Sequence, residues 1–295
     1  MRTIAVLVFV FFGLWTASSF LPGLQEDTAT RDLTPWPGAQ FIDLPDGRTH
    51  YLDMGPRDAL AILLFHGSGR GVADWQEGLA QELARSHRVI AFDYYGNGFS
   101  DRGFGVTYGY TLWARQGIHL LNALGVEQAH FVGHSVGGVI AMIAASDYTD
   151  HASGVVTIGT GTAMDPAQIV PFIPILGEMA FAQKSRLSDV FSPQHEAFIQ
   201  AAHRIRGTRW AFLVYIRRQY TIDGLRVISG LYKELPVRSL HVSGTEDASI
   251  PHDAARAVAT ETGGAFAAID GVGHDVHVEA PKQLAALITK FATPD

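Results

Sequence analysis

Cysteine is absent from the 295 residues, which removes disulfide frameworks, thiol nucleophiles and thiolate metal sites. Charge is sparse, at 17% of the chain. The balance of 22 basic against 29 acidic side chains, −7 overall, leaves no basic surplus for gripping phosphate backbones, so nucleic acid is not expected as a partner. Oxygen and imidazole groups are what remain for demanding chemistry, and the thirteen histidines supply the second. The 47% hydrophobic share is that of a globular chain and excludes a disordered one. A chain of this length suits two domains or a single large α/β unit.

The N-terminus lacks charge altogether between Arg2 and Glu26. Its strongly apolar part, 4–15, has the length of a secretory signal core, with the small residues Ala17 and Ser19 behind it. The uncharged stretch 3–25 is also long enough to span a bilayer core of about 30 Å. Arg2 on one side and Glu26 and Asp27 on the other favour an inside N-terminus and an outside body. Residues 1–25 are therefore expected to be a membrane anchor or a cleaved signal peptide. Either places the body outside the cytoplasm. Residues 26–38, with Pro35, Pro37 and Gly38, read as a linker.

From residue 39 onward short apolar runs alternate with helical spacing. Strands are expected at 40–44, 49–54, 60–65, 88–92, 129–132, 155–158, 237–242 and 265–269. Helices are expected at 75–86, 112–124, 136–145, 253–260 and 281–291. Such alternation implies right-handed βαβ units and an α/β fold with a mostly parallel central sheet, helices on both faces. Residues 161–235 break the rhythm: Pro166, Pro171 and Pro174 precede a stretch rich in aromatics and arginine. They read as a helical insertion over the sheet.

In open α/β sheets, sites form beyond the carboxyl ends of the strands. Strand 129–132 runs into Gly133-His134-Ser135-Val136-Gly137 and then a helix. This is G-x-S-x-G in the strand–turn–helix setting that lifts a serine hydroxyl above a sheet. A serine needs a base, and Gly271-Val272-Gly273-His274 follows the last strand. An acid to orient that imidazole is found in Ser243-Gly244-Thr245-Glu246-Asp247. The candidates are Ser135, Asp247 and His274, with Glu246 and His277 as competing acid and base. Two amides are required for an oxyanion: Val136 N–H at the start of the helix, and Ser68 N–H in His66-Gly67-Ser68-Gly69, with Gly67 second. His66 and His134 read as residues that fix their loops.

Together these motifs resemble the α/β-hydrolase superfamily, in its lid-bearing branch of esterases, C–C hydrolases, dehalogenases and epoxide hydrolases. The resemblance covers nearly all of 40–292. His66 to Gly69 resembles that branch's oxyanion loop, and Asp93 to Asp101 its D-x-x-G-x-G-x-S-D segment. Gly244 to Asp247 matches its G-x-x-D, and His274 to Pro281 its H-x4-E-x-P. Asn97 stands where the branch often has His, with no catalytic consequence expected. Ser135 at the elbow argues against dehalogenases and epoxide hydrolases, whose nucleophile in this branch is Asp.

The resemblance implies a helical lid at about 161–235 and hydrolysis of a carboxylic ester of a small-to-medium hydrophobic molecule. No metal or organic cofactor is needed. Two other readings stay open: a C–C hydrolase or cofactor-free haloperoxidase on the same triad, and a receptor-like ligand binder with a slow triad. Met164, Phe172, Ile173, Phe181, Phe191, Trp210, Phe212 and Tyr215 are candidates to line the pocket or to pack lid on body. Arg204, Arg206, Arg209, Arg217 and Arg218 are candidates for a substrate carboxylate or for solvated helix faces.

Overall fold

The computed structural model describes residues 40–161 (apart from 77 and 104), 190–219 and 235–293, together with Val6, Leu7, Val10, Phe11, Gly13 and Leu14. Most of the expected N-terminal segment, the whole linker, and Met164, Phe172, Ile173 and Phe181 lie outside the described residues. Among those described, no helix is long and apolar enough to cross a membrane.

The strands are β1 (Gln40–Leu44), β2 (Gly47–Met54), β3 (Ala61–Phe65), β4 (Arg88–Phe92), β5 (Ala129–His134), β6 (Ala152–Ile158), β7 (Ser239–Gly244) and β8 (Ala265–Ile269). They form one sheet in the order β1-β2-β4-β3-β5-β6-β7-β8. β1 and β2 pair antiparallel, β2 meets β4 antiparallel, and every later pairing is parallel. The helices are α1 (Ala73–Gln76), α2 (Leu79–Leu83), α3 (Tyr110–Ala123), α4 (Val136–Asp147), α5 (Pro193–Arg204), α6 (Thr208–Arg218), α7 (His252–Thr262), α8 (Val276–Glu279) and α9 (Pro281–Ala292).

The central strands are apolar throughout because both faces are covered. Leu63, Phe65, Ile90, Phe92 and Phe131 point to the face packed by Trp113, Ile118 and Leu121 of α3 and Ile140 of α4. Ile62, Leu64, Val89, Ala91 and Val132 point to the other, against Trp75, Leu79 and Leu83 of α1 and α2 and Leu284 and Ile288 of α9.

The expected helix 75–86 is two helices instead. Gly78 sits where a Cβ would lie 2.9 Å from the His277 carbonyl oxygen and 3.2 Å from Pro281 Cβ. The close approach of α8 and α9 breaks the helix there, which periodicity within the segment does not reveal. Other boundaries move by a few residues, most usefully at β5, which runs on into His134.

After β3 the chain adds β4 on one side, then crosses through α3 to add β5 on the other. That reversal opens a crevice at the carboxyl ends of β3 and β5. The loop after Phe65 and the turn at Ser135 both face it.

Candidate active site

Ser135 occupies the turn between β5 and α4 at φ 53° and ψ −124°. Among the described residues it is the one non-glycine residue with positive φ. The strain persists because its surroundings over-determine it. Its amide donates to Ile158 O at 2.7 Å, and its carbonyl accepts from Thr160 Oγ1 at 2.8 Å and Gly138 N at 3.0 Å. No larger residue fits at the flanking glycines. A Cβ at Gly133 would lie 2.2 Å from Gly137 O, and one at Gly137 would lie 2.0 Å from Phe65 O and 2.6 Å from His66 O. The elbow is thereby pressed against the end of β3 and the loop carrying Ser68. Ser135 itself is partly exposed.

His274 Nδ1 lies 2.8 Å from Asp247 Oδ2. The other carboxylate oxygen, Asp247 Oδ1, accepts the amides of Ser249 and Ile250, each at 2.8 Å. Asp247 is buried whereas Glu246 is exposed, so of the two acids only Asp247 is in position. The His274 ring packs 4.7 Å from the ring of His134, the residue before Ser135, and His134 Nε2 meets the His274 carbonyl at 3.1 Å. The fold therefore pairs Asp247 with His274 and sets the His274 ring against His134, the residue before Ser135, from three separate strand ends.

The other histidines sort by contacts. His277 is buried between Trp75 and His134, with ring centroids 4.9 and 4.2 Å away, and burial pushes it down to about 3. Burial holds His134 well below the usual imidazole range, and the neighbouring His277 and His274 lower it further. His66 is also lowered by burial and stacks on Tyr94 at 3.7 Å. The Tyr94 amide donates to its Nε2 at 3.3 Å, so Nδ1 carries the hydrogen and donates to Gly67 O at 2.7 Å. That shapes the loop around Ser68, which is partly exposed. Val136, first residue of α4, has an amide with no acceptor inside its helix.

The structure adds residues that pattern reading did not single out. Glu279 accepts the amides of Gly273 at 3.0 Å and Asp275 at 3.1 Å, gripping the chain on both sides of His274. Its signal was the glutamate of H-x4-E-x-P. Arg70, Asp74, Asp275 and His195 form a buried polar group beside the loops carrying Ser68 and His274, and no motif announces it. Burial works to raise the Asp74 carboxyl, but the Arg70 charge and then His195 outweigh it and bring it down to about 2. Asp275 is raised by burial in spite of Arg70. Asp74, His134 and His277 also bring metal-capable atoms within 4.8 Å of one another. Arg70 Nη1, 3.7 Å from Asp74, already compensates that carboxylate and opposes a second cation.

A family model described as the alpha/beta hydrolase family matches residues 62–287. The chain belongs to the alpha/beta hydrolase family. A 2-hydroxymuconate semialdehyde hydrolase from a Pseudomonas species is 28% identical over 261 residues, 83% of this chain and 90% of its own. Among solved structures, a meta-cleavage product hydrolase from Pseudomonas fluorescens is similar with a TM-score of 0.70 at 24% identity, over 85% of this chain and 96% of its own. Epoxide hydrolase A from Mycobacterium thermoresistibile is similar with a TM-score of 0.69 at 17% identity, over 88% and 98%. The two structures share the fold.

The described part of the stretch expected to cover the sheet holds α5 and α6. Phe212 and Tyr215 are buried against the body, Tyr215 lying 4.8 Å from Trp113 between ring centroids. Trp210 is partly buried, and Phe191 lies on Arg70. Arg204 and Arg206 are exposed, Arg218 is partly exposed and Arg209 is buried; the Arg217 side chain lies outside the description.

Proposed function

We propose that this hydrolase cleaves a carboxylic ester of a small-to-medium hydrophobic substrate through an acyl-enzyme, with Ser135 as nucleophile, His274 as base and Asp247 orienting the imidazole. The observation that carries the reading is the 2.8 Å contact from His274 Nδ1 to Asp247, on a ring that packs against His134, the residue before a serine held in a strained elbow. With Nδ1–H donated to the carboxylate, the Nε2 lone pair is left to take the Ser135 proton as Oγ attacks the carbonyl carbon. The Ser68 and Val136 amides stabilise the oxyanion. Collapse expels the alcohol, which takes its proton from His274. Water then attacks the acyl-enzyme with His274 again as base.

A second reading, C–C hydrolysis on the same three residues, is supported by the relatives, whose names include 2-hydroxymuconate semialdehyde hydrolase. A muconate-type substrate carries a carboxylate that wants a cation. Among the described residues, Arg70 beside this site is committed to Asp74 and Asp275 and is not offered to a substrate carboxylate, in line with a neutral ester. Residues 161–235 act in this reading as the lid that sets chain length. The uncharged stretch 3–25 supports a body held outside the cytoplasm, anchored by that segment or released from it.

Hydrolysis of p-nitrophenyl esters from acetate to palmitate, by the full chain and by Ser135→Ala, tests the proposal. The serine variant is expected to lose on the order of 10³-fold or more. Equal activity of the two proteins removes Ser135 as nucleophile. A full chain that ignores esters but cleaves a 2-hydroxy-6-oxodienoate puts the C–C reading first.

A further inference from the structure

We infer that Arg70 is a positioning residue that locks helix α5, the loop carrying Ser68 and the loop carrying His274 into one unit. The inference rests on the Ser135 reading above. Arg70 lies two residues after Ser68, and its Nη2 donates to Asp275 Oδ2 at 3.3 Å while Nη1 stands 3.0 Å from Oδ1. Asp275 is the residue after His274. The same Nη1 stands 3.7 Å from Asp74 Oδ1, and its guanidinium lies 4.4 Å from the centre of the Phe191 ring.

Helix α5 meets this loop along one face. His195 Nε2 lies 3.0 Å from Asp74 Oδ1, and Phe191 packs on His195 with ring centroids 4.3 Å apart. A Cβ on Gly71 would lie 2.9 Å from the Phe198 ring. His203 Nε2 approaches the Gly69 carbonyl at 3.3 Å. The two ends of one planar fork thus pair with Asp275 while Nη1 also stands within ion-pair distance of Asp74; a lysine could share its charge between the carboxylates but could not reproduce the two-point contact with Asp275.

The side chains of Arg70, Asp74 and Asp275 are 16%, 0% and 10% exposed. Burying three charges confers little stability over an apolar core of the same volume. What the arrangement secures is register. Ser68 N–H and His274 must address the same reacting carbonyl from two loops, and displacement by about 1 Å costs about 10²-fold in rate. The link through Asp74 and His195 makes that register depend on where α5 sits.

The test uses the full chain with p-nitrophenyl butyrate, active sites counted by labelling with a fluorophosphonate. Arg70→Met and Asp275→Asn are expected to lower kcat per labelled site by about 10²-fold with KM within about threefold, because the oxyanion amide acts in the transition state. Arg70→Lys is expected to fall between Arg70→Met and the native chain. His195→Gln combined with Asp275→Asn is expected to lose less than the product of the separate losses, since both act through Arg70. Arg70→Lys and Asp275→Asn carry the test if Arg70→Met does not fold. Native kcat per labelled site in folded variants overturns the inference while leaving Ser135 standing. Multiplicative losses in the double variant overturn the link to α5. A native chain that neither labels nor turns over overturns the Ser135 reading and this inference with it.

Discussion

At the scale of single residues, the elbow shows why the two x positions of G-x-S-x-G are free and its glycines are not. His134 and Val136 have room for side chains, whereas Gly137 has none: a Cβ there would lie 2.0 Å from Phe65 O, which is backbone and has no easy way to yield. Gly137→Ala is therefore expected to push the turn off β3, lowering kcat at least tenfold and stability by about 1–3 kcal/mol, the usual cost of overpacking. Steady-state kinetics and urea unfolding of the same preparation check both; native kcat would mean that the elbow tolerates the shift. The choice of Asp247 over Glu246 was open to sequence reasoning only through motif spacing. In three dimensions exposure decides it, because Glu246 faces solvent and Asp247 faces His274.

At the scale of elements, the segment 93–101 acts as a brace: Tyr94 holds His66 beneath the Ser68 loop, and Asp93 ties the surrounding strands together. Buried Asp93 accepts Val72 N at 2.7 Å and Phe99 N at 2.8 Å and meets His50 Nδ1 at 2.6 Å. Ser100 Oγ donates to Asp93 O at 2.6 Å and accepts His50 N at 3.0 Å. One side chain thus ties β2, β4 and the approach to α1 together. Gly98, at φ +51°, has Asp93 Oδ2 1.9 Å from where a Cβ would sit. Asp93→Asn offers an amide N–H₂ to at least one of three donors and leaves it unpaired. A loss of about 3 kcal/mol in urea unfolding, with unchanged m, is expected. A loss below about 0.5 kcal/mol would show that the brace is dispensable. Element type and order were legible here because strand and helix periods differ. The split between α1 and α2 was not, because its cause is the packing of α8 and α9 on Gly78, some two hundred residues away in the chain.

At the scale of the whole molecule, the buried histidines set the response to acid. His66 and His134 are lowered by burial, His130 and His241 to about 4, and His277 to about 3. A histidine whose folded value is depressed contributes its full stability above the unfolded value of about 6.5 and loses it as pH falls toward the folded value. Asp74, at about 2, adds its own loss only below the ordinary aspartate range. Asp275, raised, acts in the opposite sense, as one carboxyl against several histidines. The urea midpoint is therefore expected to fall steadily from pH 6.5 to pH 4.5, and a flat profile over that interval would contradict the buried, neutral assignment. The sequence alone determined the α/β class, the strand order of events along the chain and the three candidate residues, because hydrophobic period and turn chemistry are local. Only the tertiary structure decided that Arg70, Asp74, Asp275 and His195 meet, that Glu279 grips the His274 loop, and that His277 packs while His274 pairs. Those contacts join side chains from distant segments, and no local pattern encodes the meeting of groups that the fold alone brings together.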